Sequence, residues 1–256
     1  MRRSRVLKKI RNGEVVSCIY VHLNPHSTDI AAMSGFDSIW LDNEHQGQNW
    51  DSLQAHVWAA KNHDVDVMIR VSRGSYSDYI KPLELDAAGI MVPHVKSVED
   101  ARKVVQITRF HPIGRRPVDG GNADGKYAQM DLAEYTKQAN EQRFVVIQIE
   151  DPEPLDELDE IAALDGIDML FYGPVDFSHG IGALGQWEHP EVTEARKRVA
   201  EAANKHGKYA GTTVSLENAE EMIQMGYRFL AIVADIVGLG KYYNGLVKGL
   251  EEIAKR

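Results

Sequence analysis

The amino-acid sequence predicts an α/β protein of the (β/α)8 TIM-barrel class, folded as a single domain over residues 1–256. Eight short apolar runs alternate with segments of helical spacing, and parallel strands need such a crossover helix between them. The length of 256 residues suits one barrel, for which about 250 is typical. A doubly wound open sheet is the second choice, because no Gly-x-Gly-x-x-Gly turn follows the first strand.

The elements are predicted from runs of Val, Ile and aromatic residues for the strands and from apolar spacing for the helices. The predicted strands are Val15–Val21, Ser38–Leu41, Val65–Ile69, Gly89–Val95, Val145–Ile149, Met169–Tyr172, Tyr209–Val214 and Phe229–Ala234. The predicted helices between them are Asp29–Met33, Trp50–Asn62, Asp78–Leu85, Val98–Phe110, Leu132–Gln142, Leu155–Leu164, Pro190–His206 and Glu217–Met225. The remaining predicted segments are an N-terminal helix within 1–13, a Gly- and Asp-rich loop at 111–130 and a C-terminal helix at 236–256.

Composition and charge exclude several classes of function. The formal net charge of -9 disfavours a nucleic-acid partner, because binding phosphates requires a concentrated positive surface. Cys18 is the only cysteine, so an internal disulfide is impossible and a cytoplasmic location is expected. We expect no membrane span and no signal peptide, because no apolar run reaches the roughly 20 residues that a span requires.

Polar side chains, most of them ionisable, lie at or just beyond the ends of several of the predicted strands. The run Val145–Ile149 leads into Glu150, and a buried strand of a parallel sheet has no structural use for a carboxylate there. Because catalytic groups of barrels sit at the carboxyl ends of the strands, these residues are predicted to meet at one site. They are Asp42, Glu44, His45, Arg70, Gln148, Glu150 and Asp176.

The chemistry of this set favours a hard divalent cation. Glu150 and Asp176 follow neighbouring strands, and two carboxylates without Cys or a His-x-x-x-His pair suit Mg²⁺ or Mn²⁺. His45 is then a candidate base and Arg70 a candidate anion clamp. Each residue also has a structural interpretation: the carboxylates as helix caps or solvated loop residues, His45 as a hydrogen-bonded neighbour of Asp42, and Arg70 as a salt-bridge partner.

The other histidines are assigned structural or peripheral roles. A surface role is predicted for five of them because they lie on predicted helices or loops. These are His56, His63, His111, His189 and His206. His94, after the fourth strand, and His179, beyond Asp176, are also assigned structural or peripheral roles.

Six short motifs occur in an order that resembles the HpcH/HpaI family of metal-dependent 2-oxo acid aldolases, from about Gly13 to about Asp235. The motifs are Gly35-Phe36-Asp37, Leu41-Asp42-Asn43-Glu44-His45, Ile69-Arg70-Val71, Gly89-Ile90-Met91-Val92-Pro93, Gln148-Ile149-Glu150 and Gly173-Pro174-Val175-Asp176-Phe177-Ser178. The resemblance implies a (β/α)8 barrel that assembles as a homo-hexamer of paired subunits, with the C-terminal helix exchanged between partners. It also implies that Glu150 and Asp176 hold Mg²⁺, Mn²⁺ or Co²⁺.

The same resemblance implies a role for each matching residue. His45, oriented by Asp42, would be the general base, and Arg70 would stabilise the enolate formed from pyruvate. Four further residues would contact the substrate: Gln148, Glu84 and, through the backbone around them, Gly173 and Val175. The expected small-molecule partners are a 2-oxo acid and an aldehyde.

The chain departs from the family pattern in the run from Gly114 to Asn122, where similar aldolases have a Gly-x-Arg-Gly type of turn. The loop at 111–130 is therefore expected to build a different pocket for the aldehyde, with a solvated surface excursion as the alternative. Three functions remain open. The first is a class II aldolase that cleaves or forms 4-hydroxy-2-oxo acids, the second is an oxaloacetate decarboxylase or another enolate-forming lyase, and the third is a non-catalytic metabolite-binding barrel.

Overall fold

Eight parallel strands close into a barrel in chain order, which confirms the predicted fold class. The structure is a computed structural model that describes residues 1–255, so Arg256 of the predicted C-terminal helix lies outside the described residues. Each strand pairs with its neighbours along the chain, and β8 closes the barrel against β1. The strands are β1 Val16–Tyr20, β2 Ser38–Asp42, β3 Asp66–Arg70, β4 Gly89–Val92, β5 Phe144–Ile149, β6 Met169–Tyr172, β7 Tyr209–Thr213 and β8 Tyr227–Ala234.

The helices connect the strands and cover the outside of the barrel. They are α1 Arg5–Arg11, α2 Pro25–Met33, α3 Trp50–Lys61, α4 Tyr76–Glu84, α5 Val98–Thr108, α6 Leu132–Gln142, α7 Leu158–Ala162, α8 Pro174–Gly180, α9 Pro190–Lys205, α10 Ala219–Gln224 and α11 Asp235–Ala254. Helix α8 is absent from the helices that the sequence predicts. This helix begins at Pro174, a residue well suited to a first helical position, directly after β6.

The pleat of the strands divides their side chains between two cores. Alternate residues such as Trp40 and Met68 point into the barrel, where they form one apolar cluster. The residues between them, such as Leu41 and Ile69, pack against the surrounding helices. This alternation determines which side chain at each strand end can reach the barrel axis.

Helix α1 closes the amino-terminal mouth of the barrel. Its buried residues Val6, Leu7 and Ile10 join the interior cluster. The side chain of Ser4 accepts a hydrogen bond from the Leu7 N–H at 3.0 Å and donates one to the Asp66 carboxylate at 2.6 Å. The interior is therefore open to ligands only at the opposite mouth, where the strands end.

His56 is fully buried, so the predicted surface role for this residue is wrong. It lies on the face of α3 that packs inward, and its Nδ1 is 2.6 Å from Thr28 Oγ1. Burial lowers the pKa of the imidazole to about 4. His56 is therefore a neutral core residue at neutral pH.

Helix α11 leaves the barrel surface almost as soon as it begins. The Asp235 carboxylate accepts the N–H groups of His22 at 2.9 Å and Leu23 at 3.1 Å, which holds the start of the helix beside α2. None of its residues from Asp235 to Ala254 is buried, although many are apolar. Among the helices of residues 1–255, none combines the length and apolar character that a membrane crossing requires.

Candidate active site

The candidate active site lies at the carboxyl ends of the strands, and the pleat determines its members. Tyr20, Asp42, Arg70 and Gln148 each follow a side chain of the barrel interior by two residues. Glu150 continues the same alternation just beyond β5. These five side chains therefore converge above the apolar interior rather than among the outer helices.

Arg70 and Asp42 form the best-ordered contact of the site. Arg70 Nε donates to Asp42 Oδ1 at 2.9 Å, and Nη2 donates to Oδ2 at 2.7 Å. The Tyr20 hydroxyl donates to the same Oδ2 at 2.5 Å, and the Arg70 guanidinium lies 5.2 Å from the centre of the Trp40 ring. Burial opposes both charges, but the pair outweighs it, raising the pKa of Arg70 and lowering the pKa of Asp42.

His45 stands at the rim of the site, with its side chain 63% exposed. The His45 Nε2 is 3.6 Å from Glu44 Oε2. The His45 ring makes no hydrogen bond to Asp42, which accepts the backbone N–H of His45 at 3.3 Å instead. The geometry therefore does not support the expectation that Asp42 orients the imidazole. The reason is the strand register, which sets Asp42 directly opposite Arg70.

Glu150 is almost completely buried, with 1% of its surface exposed. Its Oε1 accepts the His94 backbone N–H at 2.9 Å, and its Oε2 accepts a short hydrogen bond from Gln148 Nε2. Burial raises the pKa of Glu150 to about 7; the His94 contacts and the Arg70 charge act against this shift, whereas the Asp176 carboxylate adds to it. The negative charge of Asp176 thus favours the protonated form of Glu150.

Gly173 packs against Glu150 and leads directly into the first turn of α8, which carries Asp176. A Cβ on Gly173 would lie 2.8 Å from both Cβ and Oε2 of Glu150, so only glycine permits this close approach. The Gly173 N–H donates to the Ile149 carbonyl at 3.0 Å, and it is therefore not free to bind a substrate as expected. Val175 is half exposed, and its N–H has no acceptor within residues 1–255.

The residues present fit a divalent cation. The Asp176 carboxylate accepts no hydrogen bond within the described chain, and the buried Oε1 of Gln148 has no hydrogen-bond partner there. Oε2 of Glu44, by contrast, is paired with Arg70 Nε at 3.2 Å. Residues 1–255 contain no group of three or more His, Cys, Asp or Glu side chains arranged as a complete cage. This donor set is one that leaves several positions of a hard cation to substrate and water oxygens.

Glu84 and the loop at 111–130 lie away from this site in the same chain. Within one chain, therefore, Glu84 does not contact the substrate site, and the loop does not build an aldehyde pocket beside it. Glu84 ends α4, which runs back to the amino-terminal mouth before β4 begins. Its carbonyl accepts the Asp124 N–H at 3.4 Å, and Asp124 is buried against Arg116 at 2.9 Å. The loop is therefore part of the closed end of the barrel.

Two residues of the site, Tyr20 and Asp151, are not predicted by the sequence analysis, which also gives Glu44 a place at the site without a role and His94 a structural or peripheral role. Glu44 is nearly buried, with its carboxylate 3.2 Å from Arg70 Nε. Tyr20 ends β1, and its position two residues after an interior side chain was the signal available in the sequence. His94 and Asp151 meet only because β4 and β5 are adjacent, which follows from the predicted strand order.

Comparison with known proteins gives a family match and close structural neighbours. The model of the HpcH/HpaI aldolase/citrate lyase family matches residues 17–239. A hydroxypyruvate/pyruvate aldolase of Pseudomonas aeruginosa is 31% identical over 256 residues, covering 99% of this chain and 92% of that protein. A 5-keto-4-deoxy-D-glucarate aldolase of Shigella boydii is 29% identical over 222 residues, covering 86% of each chain.

Among solved structures, an HpcH/HpaI aldolase from Desulfitobacterium hafniense has a TM-score of 0.90 and 29% identity, over 96% of both chains. The citrate synthase SbnG has a TM-score of 0.89 and 26% identity, covering 97% of this chain and 98% of that one. The likeness thus extends over nearly the whole barrel and includes the strand ends that form the site. The chain belongs to the HpcH/HpaI aldolase/citrate lyase family, and it is a carbon–carbon lyase of the aldolase type.

Proposed function

We propose that this enzyme cleaves or forms 4-hydroxy-2-oxo acids through a pyruvate enolate, with a divalent cation bound by Glu150 and Asp176. The observation that carries the proposal is the position of the two carboxylates just beyond the adjacent strands β5 and β6, with Gly173 packed on Glu150 at the start of the helix that carries Asp176. Such a site can stabilise negative charge that develops on a bound 2-oxo acid. Cleavage on this route yields pyruvate and an aldehyde.

The proposed cofactor is Mg²⁺, Mn²⁺ or Co²⁺. When bound, the cation would supply Lewis-acid stabilisation of the enolate oxygen. Glu150 has one hydrogen bond on each oxygen, which leaves lone pairs on both, and Asp176 has all of its lone pairs free within residues 1–255. The Asp176 charge also raises the pKa of Glu150, so a cation bound by both carboxylates would relieve their mutual repulsion. The Arg70 charge is already paired with Asp42 and Glu44.

The proposed binding groups for the 2-oxo acid are the Val175 N–H and the Gln148 side chain. The free N–H at the start of α8 is a suitable donor to the substrate carboxylate. The Gln148 side chain donates a hydrogen bond from Nε2 to Glu150, and its Oε1 is the proposed group that positions the 2-oxo acid. The name of the Pseudomonas aeruginosa relative supports this substrate class, since hydroxypyruvate and pyruvate are 2-oxo acids.

Arg70 and His45 are the proposed catalytic residues. Arg70, held at two points by Asp42, presents its charge to the oxygen on which the enolate charge develops. His45 is the proposed base for the methyl proton of pyruvate, and its exposed ring gives the proton a route to solvent. Its neighbour Glu44, rather than Asp42, is the proposed carboxylate that orients the ring.

The proposed assembly is a cytoplasmic homo-hexamer in which partners exchange α11. The exposed apolar residues of α11 recur at helical spacing and so form an apolar stripe along one side of the helix. An apolar surface of this kind is typical of a protein–protein interface. These residues are Ile236, Val237, Tyr242, Tyr243, Leu246, Val247, Leu250 and Ile253. Size-exclusion chromatography with light scattering measures the oligomer directly, and a monomer at micromolar concentration would refute the exchange.

Variants of the two carboxylates test the metal site. Titration calorimetry of the metal-free enzyme with Mn²⁺ should give one site per chain, which Glu150→Gln and Asp176→Asn each abolish. Pyruvate release from 4-hydroxy-2-oxo acids should disappear in the same variants. Glu153→Gln is the matched control, because Glu153 follows the same strand but is 56% exposed and pairs only with Lys96. Undiminished activity in metal-stripped Glu150→Gln would refute the proposal.

The substrate assignment needs a separate experiment. A panel of 4-hydroxy-2-oxo acids with different aldehyde ends should release pyruvate when Mg²⁺, Mn²⁺ or Co²⁺ is supplied. Release of pyruvate from oxaloacetate alone, with every 4-hydroxy acid left intact, would instead identify a decarboxylase on the same site.

A further inference from the structure

His94 has a backbone conformation that few residue types adopt without cost. It follows β4 and Pro93, and its φ of 49° lies in the left-handed region. This conformation directs the His94 N–H across to β5, where it donates to Glu150 Oε1 at 2.9 Å. The turn after β4 is therefore shaped to deliver one hydrogen bond to a buried carboxylate.

The imidazole of His94 is fixed by the residue that follows Glu150. Its Nδ1 is 2.9 Å from Asp151 Oδ2, and Lys96 lies 3.6 Å from the other oxygen of Asp151. The same Nδ1 is 3.8 Å from Glu150 Oε1, beyond hydrogen-bond distance, and on the other side of the ring Nε2 is 3.7 Å from Glu44 Oε1. The ring thus bridges the ends of β2 and β5, and these contacts hold residue 94 in its left-handed conformation.

The N–H of His94 matters because Glu150 has few other ways to keep its position. With 1% of its surface exposed, the carboxylate cannot rely on water, and its only other hydrogen-bond donor in the described chain is Gln148 on Oε2. Loss of the His94 N–H would free Oε1 to rotate. Partners of this kind, which orient a metal ligand without touching the metal, strongly affect affinity.

We propose that His94 is a positioning residue for Glu150, acting through its left-handed main chain, and that Asp151 stabilises this conformation through the imidazole. The inference rests on the proposed function, because it assigns Glu150 to the cation. It also replaces the peripheral role that the sequence predicted for His94.

Three substitutions separate the main chain from the ring, with Mn²⁺ affinity of the metal-free protein as the readout. His94→Gly removes the ring but adopts the left-handed conformation freely, and His94→Asn tolerates it, so both should bind Mn²⁺ within threefold of wild type. His94→Val excludes the conformation because of its branched Cβ and should bind at least tenfold more weakly. Circular dichroism and thermal melting establish that each variant is folded.

Each outcome decides the question. Wild-type affinity in folded His94→Val would overturn the proposal, and so would a loss in His94→Gly as large as in His94→Val, since the ring would then be the active group. If His94→Val does not fold, His94→Ala replaces it and should bind threefold to tenfold more weakly than His94→Gly; equal affinity would overturn the proposal. Absence of Mn²⁺ binding in the wild-type protein would instead refute the proposed function and this inference together.

Discussion

Asp42 and Arg70 are directly opposed in the register of β2 and β3, and their side chains form an ion pair at two points, 2.9 Å and 2.7 Å long. The Asp42 side chain is fully buried and that of Arg70 is 7% exposed. A pair this far from water is costly to form unless its geometry is good, and the planar guanidinium supplies that geometry. Arg70 is consequently held at one orientation before any ligand arrives.

Replacing Arg70 by Lys should lower kcat/KM by about 100-fold, the size of the effect expected for one charge-stabilising donor. The ammonium keeps the charge but cannot engage both oxygens of Asp42, so its position would no longer be fixed. Steady-state kinetics with saturating metal measures the change. Arg73→Lys is the matched control and should stay within twofold, because Arg73 is a third exposed and pairs with Asp100 outside the site. Equal kinetics in the two variants would reduce Arg70 to a structural role.

His45→Ala should slow the exchange of pyruvate methyl protons with D2O by about 100-fold or more, the usual contribution of a general base. NMR follows the exchange without an aldehyde. The Mn²⁺ affinity should change little, since the His45 ring contacts Glu44 rather than Glu150 or Asp176.

His179→Ala serves as the matched control for His45. His179 is exposed on α8, and no hydrogen bond or ion pair joins its ring to the described residues of the site. Exchange at the wild-type rate in His45→Ala would exclude His45 as the base and leave Glu44 or His94 as the nearest alternatives.

The placement of Arg70 and Glu150 at one mouth could be predicted because it depends only on rules that hold for every parallel barrel, whereas Asp176 is held by α8, which was not predicted. Strands run in one direction, their carboxyl ends share a mouth, and every second residue faces the axis. The position of Glu150 relative to Gln148 follows from this period of two. The sequence therefore predicted the fold and the mouth of the barrel at which these side chains lie.

Contacts that depend on strand register or on the direction of a helix could not be predicted from the sequence by these rules. Asp42 pairs with Arg70 rather than His45 because the register of β2 and β3 sets the two residues opposite each other, and the sequence analysis did not assign that register. Glu84 was misplaced because the direction of α4, not the spacing of its residues, carries it to the closed mouth. The left-handed conformation at His94 was not predicted, because glycine is the residue that usually indicates such a conformation in a sequence and this position has none.

Acid should destabilise the fold through His56. The unfolded imidazole takes up a proton near pH 6.5, whereas burial lowers its pKa in the folded chain to about 4. The free energy of unfolding therefore has its full value, as far as His56 is concerned, above pH 6.5. It decreases as the pH falls towards 4, by no more than about 3 kcal/mol. Urea unfolding at pH 7.5 and pH 4.5 measures it.

In His56→Gln, which keeps a polar group beside Thr28, the difference in unfolding free energy between the two pH values should shrink. His111→Gln is the control, because His111 is exposed and should leave the difference as in wild type. An unchanged difference in His56→Gln would mean that His56 does not titrate differently in the two states.

Gly173→Ala should impair the site more than the fold. The added Cβ would lie 2.8 Å from Glu150 Cβ and Oε2 and 3.1 Å from Gln148 Nε2, so the carboxylate must shift, at a cost of about 1–3 kcal/mol. Since Glu150 is the proposed metal ligand, Mn²⁺ affinity and kcat should both fall by at least tenfold. Gly47→Ala, whose Cβ would meet nothing within 4 Å, should leave both values within twofold. If Gly173→Ala binds Mn²⁺ as tightly as Gly47→Ala does, the close packing of Gly173 on Glu150 has no bearing on the metal site, and the two carboxylates must be positioned by α8 as a whole.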